Sequence, residues 1–347
     1  MDAEVGGAGL GRRAVLTGLL RSMAAGAALA VALASRASDM PQEDAPAPTG
    51  DAALFATPTT LDHIGRVVVP VMVNGRGPFR FVVDTGANHS TISTRLAKRL
   101  GLTPTDGESI TLDGITGAAQ VNFVTVEKLQ AGDLTISDTP LPVIGTPVMA
   151  GADGILGAAG LDEKSVLMDF QRNRVVISRN VDYLVRTEST RIHADRLRYG
   201  LVTIDTRVGG VPVRAVIDTG SERTLGNLAL RDALRTRRGP GVLTYVTSVF
   251  GATEKVEPGE IQPSPPIVID PLRITDVNVV YGAFHIFDVW GLRNRPALII
   301  GMDVLGTVAS LAIDFKNQDV YITPARAGAD TLPANLHDLV TAPAQKR

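Results

Sequence analysis

The distribution of apolar residues along the chain repeats itself. From Val67 to Val73 β-branched residues dominate, Asn74-Gly75-Arg76-Gly77 breaks the run, and apolar character resumes from Phe79 to Val83. The pattern returns from Leu201 to Val208, breaks at Gly209-Gly210 and resumes from Val211 to Ile217. Alternating β-branched residues around a glycine-bearing turn predict a hairpin in each place. A short helix is expected after each hairpin. The first runs from Ser93 through Arg95, Leu96 and Leu100 to a stop at Gly101, and the second starts from a cap at Asn227 and passes through Leu230 and Leu234. Later apolar segments keep the same order in both halves. Ile155-Leu156-Gly157 answers Ile299-Ile300-Gly301, Leu161 answers Leu305, Met168-Asp169-Phe170 answers Ile313-Asp314-Phe315, and Val175-Val176-Ile177 answers Val320-Tyr321-Ile322.

Each hairpin closes on the same tripeptide, Asp84-Thr85-Gly86 after Phe81-Val82-Val83 and Asp218-Thr219-Gly220 after Ala215-Val216-Ile217. One such tripeptide is ordinarily a turn, in which Asp bonds its own backbone and Gly supplies positive φ. Two copies inside matching frameworks can bring two carboxylates face to face. Like charges at contact distance cannot both ionise, so one proton is shared and a water between the pair is activated against a peptide bond. The distance from Asp to the later matching Gly is 73 residues in the first half and 83 in the second. The second half is therefore expected to carry a modest insertion, placed between Glu254 and Tyr281.

These paired motifs resemble the retropepsin-like aspartic proteases, whose units carry Asp-Thr-Gly-Ala/Ser and a later apolar-apolar-Gly segment. The resemblance runs from about His63 to Thr323, in two copies. It implies an all-β, bilobal acid-protease-like fold made of two similar retropepsin-like β-barrel halves with short helices, over residues 61–185 and 186–324. It implies Asp84 and Asp218 as catalytic aspartates of an aspartic endopeptidase. Thr85 and Thr219 would lock the dyad by bonding across to the opposite loop, Gly86 and Gly220 would leave room for it, and Ala87 and Ser221 would complete the active loops. Gly157 and Gly301 would be structural, each where a strand crosses behind an active loop. Each half should also carry a hairpin over the cleft, with tips at Asp113-Gly114-Ile115-Thr116-Gly117 and Val249-Phe250-Gly251-Ala252. Gly114, Ile115, Gly117, Phe250 and Gly251 are thus the expected flap residues, clamping an extended peptide through backbone hydrogen bonds. No tyrosine stands at the first tip, a departure from the pepsin pattern. Tyr245 and Phe250 are read first as sheet-packing aromatics and second as shapers of subsites.

The halves differ after the tripeptide, where Ala87 faces Ser221. A serine hydroxyl there would donate to the outer oxygen of Asp218 and favour its charge, which makes Asp218 the expected anion and Asp84 the proton carrier. Asp303, with Ala159 at the matching position, is expected to cap a helix. Asp169 and Asp314 are expected to make turn or strand-end bonds, and His89 and Arg223 to flank the active loops at the surface.

Composition narrows the alternatives. A net charge of −2 removes the electrostatic case for nucleic acid. Five scattered histidines and the absence of cysteine leave no expected metal site, thiol mechanism or cofactor. Arg12-Arg13 followed by a small-residue apolar stretch from Met23 to Ala34 resembles a twin-arginine export signal over 1–34, which implies a periplasmic or secreted protein. Residues 35–60, rich in Ala, Pro and Asp, are expected to be a linker, and 325–347 a tail. The expected partner is a peptide or protein substrate, and the expected assembly a monomer with an internal pseudo-two-fold. Two rivals stay open, a non-catalytic peptide-binding or scaffold protein that keeps the fold, and a domain-swapped dimer.

Overall fold

The computed structural model describes residues 53–325, apart from 105–106, 133, 146, 162, 198–199 and 239–241. The expected export signal over 1–34, most of the expected linker and residues 326–347 of the expected tail lie outside the described residues.

Both predicted hairpins form, and their turns show why glycine recurs there. Asn74 and Gly75 take φ of 49° and 70°, Gly209 and Gly210 take 55° and 80°, so both two-residue turns use left-handed backbone that suits the twist of the paired strands. The first hairpin joins Val67–Val73 to Arg76–Val83, the second Val202–Val208 to Val211–Ile217. In the first the register slips between Val71 and Val73. Because of this bulge, positions before the first turn match those before the second at an offset one residue larger than the tripeptides do.

In the N-terminal lobe the hairpin is the start of a closed barrel. Going round, the strands are Val67–Val73, Arg76–Val83, Gly154–Leu156, Thr91–Ser93, Leu134–Ile144 and Phe123–Ala131, which pairs back to the first. The C-terminal lobe follows the same path through Val202–Val208, Val211–Ile217, Ala297–Ile300, Leu225–Asn227, Asn278–Gly282 and Val256–Pro263. Here Ser264-Pro265-Pro266 interrupts the last strand before Ile267–Ile269 returns to pair with Val202–Val208. Proline has no N–H to give to a ladder, so the strand breaks where its counterpart is continuous.

The lobes share a sheet. Its order is Ala53–Pro58, Arg174–Ser178, Ser165–Asp169, Ser310–Asp314, Asp319–Thr323 and Thr190–Arg196, three strands before the lobe boundary and three after it. At its centre Ser165–Asp169 runs antiparallel to Ser310–Asp314, with Leu167 opposite Ala312, and every residue of both strands is buried. Ala53–Pro58 corrects the expected linker, which reached to residue 60. An Ala-, Pro- and Asp-rich average over the segment concealed a six-residue edge strand, and Pro58 stands at its end, where an edge tolerates it.

The described residues include four α-helices: α1 (Thr94–Leu100), α2 (Leu228–Arg238), α3 (His285–Val289) and α4 (Met302–Leu305). The Ser93 hydroxyl accepts from the Leu96 N–H, and Gly101 ends α1 at φ 70°. Asn227 Oδ1 accepts from the Leu230 N–H at the start of α2. The extra length of the second half lies mostly elsewhere than expected. From Ile144 to Gly157 is 13 residues and from Gly282 to Gly301 is 19, so more than half of the insertion follows Tyr281 and includes α3. The spacing of motifs cannot show where a strand ends, so it places the excess one segment too early.

Candidate active site

Each Asp-Thr-Gly leaves the end of a barrel strand held by its parallel neighbour. The Asp84 N–H donates to Leu156 O at 3.0 Å and the Asp218 N–H to Ile300 O at 3.1 Å. Asp84 Oδ1 accepts from the N–H groups of Gly86 and Ala87, both at 2.9 Å. Asp218 Oδ1 accepts from Gly220 at 2.9 Å and Ser221 at 3.1 Å. These local bonds aim both carboxylates the same way out of their turns.

Between the loops the threonines reach across. The Thr85 N–H donates to Thr219 Oγ1 and the Thr219 N–H to Thr85 Oγ1, each at 3.1 Å. Their hydroxyls then donate to Ile217 O and Val83 O, each at 2.8 Å. All four bonds are buried, and losing one partner of a buried bond costs about 1–3 kcal/mol. The glycines bring the carboxylates together. A β-carbon on Gly86 would lie 2.5 Å from both carboxylate oxygens of Asp218, and one on Gly220 would overlap the Asp84 carboxyl. No side chain larger than hydrogen fits at either point.

The two acids have unequal surroundings. Burial raises the Asp84 carboxyl above the usual range, and the first influence opposing it is the positive charge of Arg66. Burial raises Asp218 much further, and the negative charge of Asp84 adds to the rise. The charge of Arg66 thus favours the anion on Asp84, a lean opposite to the expected one. The Ser221 hydroxyl donates to Arg223 O at 2.8 Å and gives nothing to Asp218. A backbone carbonyl two residues on takes the hydrogen that was assigned to the carboxylate.

Gly157 and Gly301 sit behind the loops. A β-carbon on Gly157 would lie 2.6 Å from His89 O, and one on Gly301 2.5 Å from Arg223 O. Beside them the Ala158 N–H donates to Ala87 O, and the Met302 N–H to Ser221 O, both at 2.8 Å. Two residues missed in the sequence hold these glycines. Ser90 Oγ accepts from the Gly157 N–H at 3.1 Å and Thr224 Oγ1 from the Gly301 N–H at 3.2 Å. The readable signal is a hydroxyl six residues after each Asp. Asp303 does not cap α4; its carboxylate accepts from the N–H and hydroxyl of Thr224 at 3.0 and 2.7 Å. Asp169 and Asp314 accept from the turns that follow their strands, Asp169 from Arg172 N–H and Asp314 from Lys316 and Asn317 N–H. His89 is exposed and Arg223 half-buried.

Also missed was a buried ion pair beside the dyad. Arg66 Nε donates to Asp62 Oδ2 at 2.7 Å, and the two side chains are 1% and 0% exposed. The same guanidinium faces Gly220 O at 3.4 Å and Met149 O at 3.5 Å.

Two hairpins meet above the loops. One joins Ile110–Gly114 to Gly117–Val121, with Ile115 and Thr116 at its tip; the other joins Tyr245–Phe250 to Val256–Pro263. The buried hydroxyls of Thr116 and Thr253 touch at 3.3 Å, and a β-carbon on Gly251 would lie 2.9 Å from Thr116 Oγ1. Gly114 lies against Ala252 and Thr253, and Gly117 against the Lys255 side chain. Each tip also packs on the other lobe. Ile115 joins the apolar cluster of Phe284, Phe287 and Trp290, and Ala252 joins that of Ile144, Met149 and Ile155, together with Leu112 and Ala87 of the N-terminal lobe. Tyr245 and Phe250 are 57% and 53% exposed, so neither is a packed sheet aromatic. The α3 segment adds a contact from His285 Nε2 to Asp113 Oδ1 at 3.1 Å, tying the first hairpin to the C-terminal lobe.

Two carboxyls forced together, one charged and one protonated, can polarise a water and a carbonyl at once. A family model described as aspartyl protease matches residues 69–159 and again residues 204–304, together more than half of the chain. No curated protein matches it.

Proposed function

Because the chain belongs to the aspartyl protease family, in a tandem retropepsin-like form, we propose that it is an endopeptidase whose two lobes supply one aspartate each. Asp84, charged, removes a proton from a water held between the carboxyls as its oxygen bonds to the carbonyl carbon of the substrate. Asp218, protonated, gives its proton to the carbonyl oxygen. When the tetrahedral species collapses the C–N bond breaks, the amine leaves with the proton taken by Asp84, and the proton on oxygen returns to Asp218. The reaction consumes one water and restores both acids.

The observation that supports this reading above all is the mutual fit of the loops, in which the glycine of each tripeptide leaves space only for the carboxylate of the other. The two hairpins suit an extended peptide, which would part their tips and pair with their backbones. Arg12-Arg13 and the apolar stretch after it support export to the periplasm or beyond, and the lobes within one chain support a monomer. The test is digestion of an unfolded protein by the purified chain and by Asp84→Asn and Asp218→Asn. Each variant should lose at least about a thousandfold in kcat/KM, a barrier increase of about 4 kcal/mol. Equal cleavage by all three proteins rejects the dyad, and binding of peptide without any cleavage leaves the scaffold reading.

A further inference from the structure

The turn that carries Arg66 has a twin in the other lobe. The Asp62 N–H donates to Arg66 O at 2.9 Å and Gly65 N–H to Asp62 O at 3.2 Å; the Leu197 N–H donates to Leu201 O at 2.9 Å and Gly200 N–H to Leu197 O at 3.2 Å. Gly65 and Gly200 take φ of 85° and 80°. These bonds and the glycine conformation match, and Asp62 and Arg66 stand where the second lobe has Leu197 and Leu201. Arg66 and Leu201 are equally buried, at 1% and 2% exposure. One lobe has thus placed a full ion pair where its twin shows that leucines suffice.

Burying an ion pair is weak evidence for stability, because desolvation cancels most of the attraction and apolar replacements are often neutral or better. The position of this pair suggests another role. The guanidinium approaches Gly220 O, and Gly220 is the residue that abuts the Asp84 carboxyl. At the position matching Arg66 the second lobe has Leu201, which carries no charge. We propose that the Asp62–Arg66 pair breaks the symmetry of the dyad, with Arg66 a positioning residue that holds the shared negative charge on Asp84 and so leaves the proton on Asp218. The inference deepens the peptidase reading and rests on it for its meaning in catalysis. Among the described residues the other charged groups near the pair are paired or exposed. Asp62 offsets Arg66 from behind, Arg223 in the Asp218 loop lies 3.5 Å from Glu222 and also acts on Asp303, and His63 and His89 are exposed.

The experiment copies one lobe onto the other with Asp62→Leu/Arg66→Leu and follows both carboxyls by carbon NMR in aspartate-labelled protein, assigned with Asp84→Asn and Asp218→Asn. An opposite charge at close range lowers a carboxyl by about one pH unit or more. In the double variant the first ionisation of the dyad should rise by about that amount, tenfold in proton affinity, and the order of the two acids should be lost. The acidic limb of the kcat/KM profile should move up with it. Arg66→Lys, which keeps the charge, should retain the order. Asp62→Asn, whose amide oxygen can still accept from the Ile64 and Arg66 N–H groups, should move the ionisation down, because Arg66 loses its counterion. That opposite sign tests the idea even where the double variant does not fold. An unmoved ionisation in folded Asp62→Asn, or in the folded double variant, overturns the proposal. The NMR titration needs no turnover, so an inactive parent with a shifted titration would defeat the peptidase reading alone.

Discussion

Behind the two active loops the lobes part company. The Asp218 loop is tied through Thr224 to a carboxylate, Asp303, which takes both its N–H and its hydroxyl. The Asp84 loop has Ser90 for the same task and only Ala159 where Asp303 would be. Across the contact between loops, in contrast, the threonine bonds are the same in both directions, 3.1 Å from each N–H and 2.8 Å from each hydroxyl. The difference teaches where a duplicated protein can drift. Loops that must fit against each other are held to a common geometry, while the supports behind them need only keep each loop in place.

The symmetric part should break symmetrically and hard. Gly86→Ala and Gly220→Ala each force a methyl into the opposite carboxylate, and each should abolish detectable hydrolysis, as the dyad cannot tolerate a displacement of even about 1 Å without a loss of around a hundredfold. Turnover of an unfolded substrate, alongside circular dichroism to show folding, measures both; activity surviving in one alone would mean the loops are not equivalent.

The asymmetric part should break unequally. Thr224→Val removes the donor to Asp303 and the acceptor for Gly301 at once, and should cost about 2–4 kcal/mol in denaturant unfolding, with Ser90→Ala nearer 1–2 kcal/mol. Asp303 also adds a pH signature. Burial raises its carboxyl above its unfolded value, so the native state binds the proton more tightly and stability falls as pH rises from about 4 through the raised value. Asp303→Asn should reduce that slope, to which the raised carboxyls of Asp84 and Asp218 also contribute, while Ser90→Ala should leave it unchanged.

The smallest effect belongs to the hairpins. The first is tied to α3 by a polar side-chain contact, between His285 and Asp113, each 35% exposed. Such a contact is worth about 0.2–1 kcal/mol. Asp113→Asn should therefore leave the melting temperature nearly unchanged and speed hydrogen exchange at Ile115 and Thr116 by no more than about fivefold. Faster exchange throughout both hairpins would show that they open as one unit.

Much of this was legible because it occurs twice. The tripeptides, the glycines at 157 and 301 and the caps at Ser93 and Asn227 depend on backbone requirements, and those leave the same residue types in both copies. What differed between the copies was harder to read. Ser221 was assigned to Asp218 from its position in sequence, yet the partner of a hydroxyl is decided by which acceptor the folded loop brings closest. Asp62 and Arg66 were invisible because the bulge near Val71 shifts the alignment by one residue, hiding Leu197 and Leu201 as their counterparts. The strand Ala53–Pro58 was lost in the average composition of its surroundings.

The continuous sheet at the centre of the molecule has an evolutionary corollary. When two halves are identical subunits, every substitution is made in duplicate, and a cation introduced beside one acid arrives beside the other as well. Fusing the copies through strands 165–169 and 310–314 frees each to mutate alone. Bias between otherwise equivalent acids is a chemical option open to a fused chain and closed to a strictly symmetric pair.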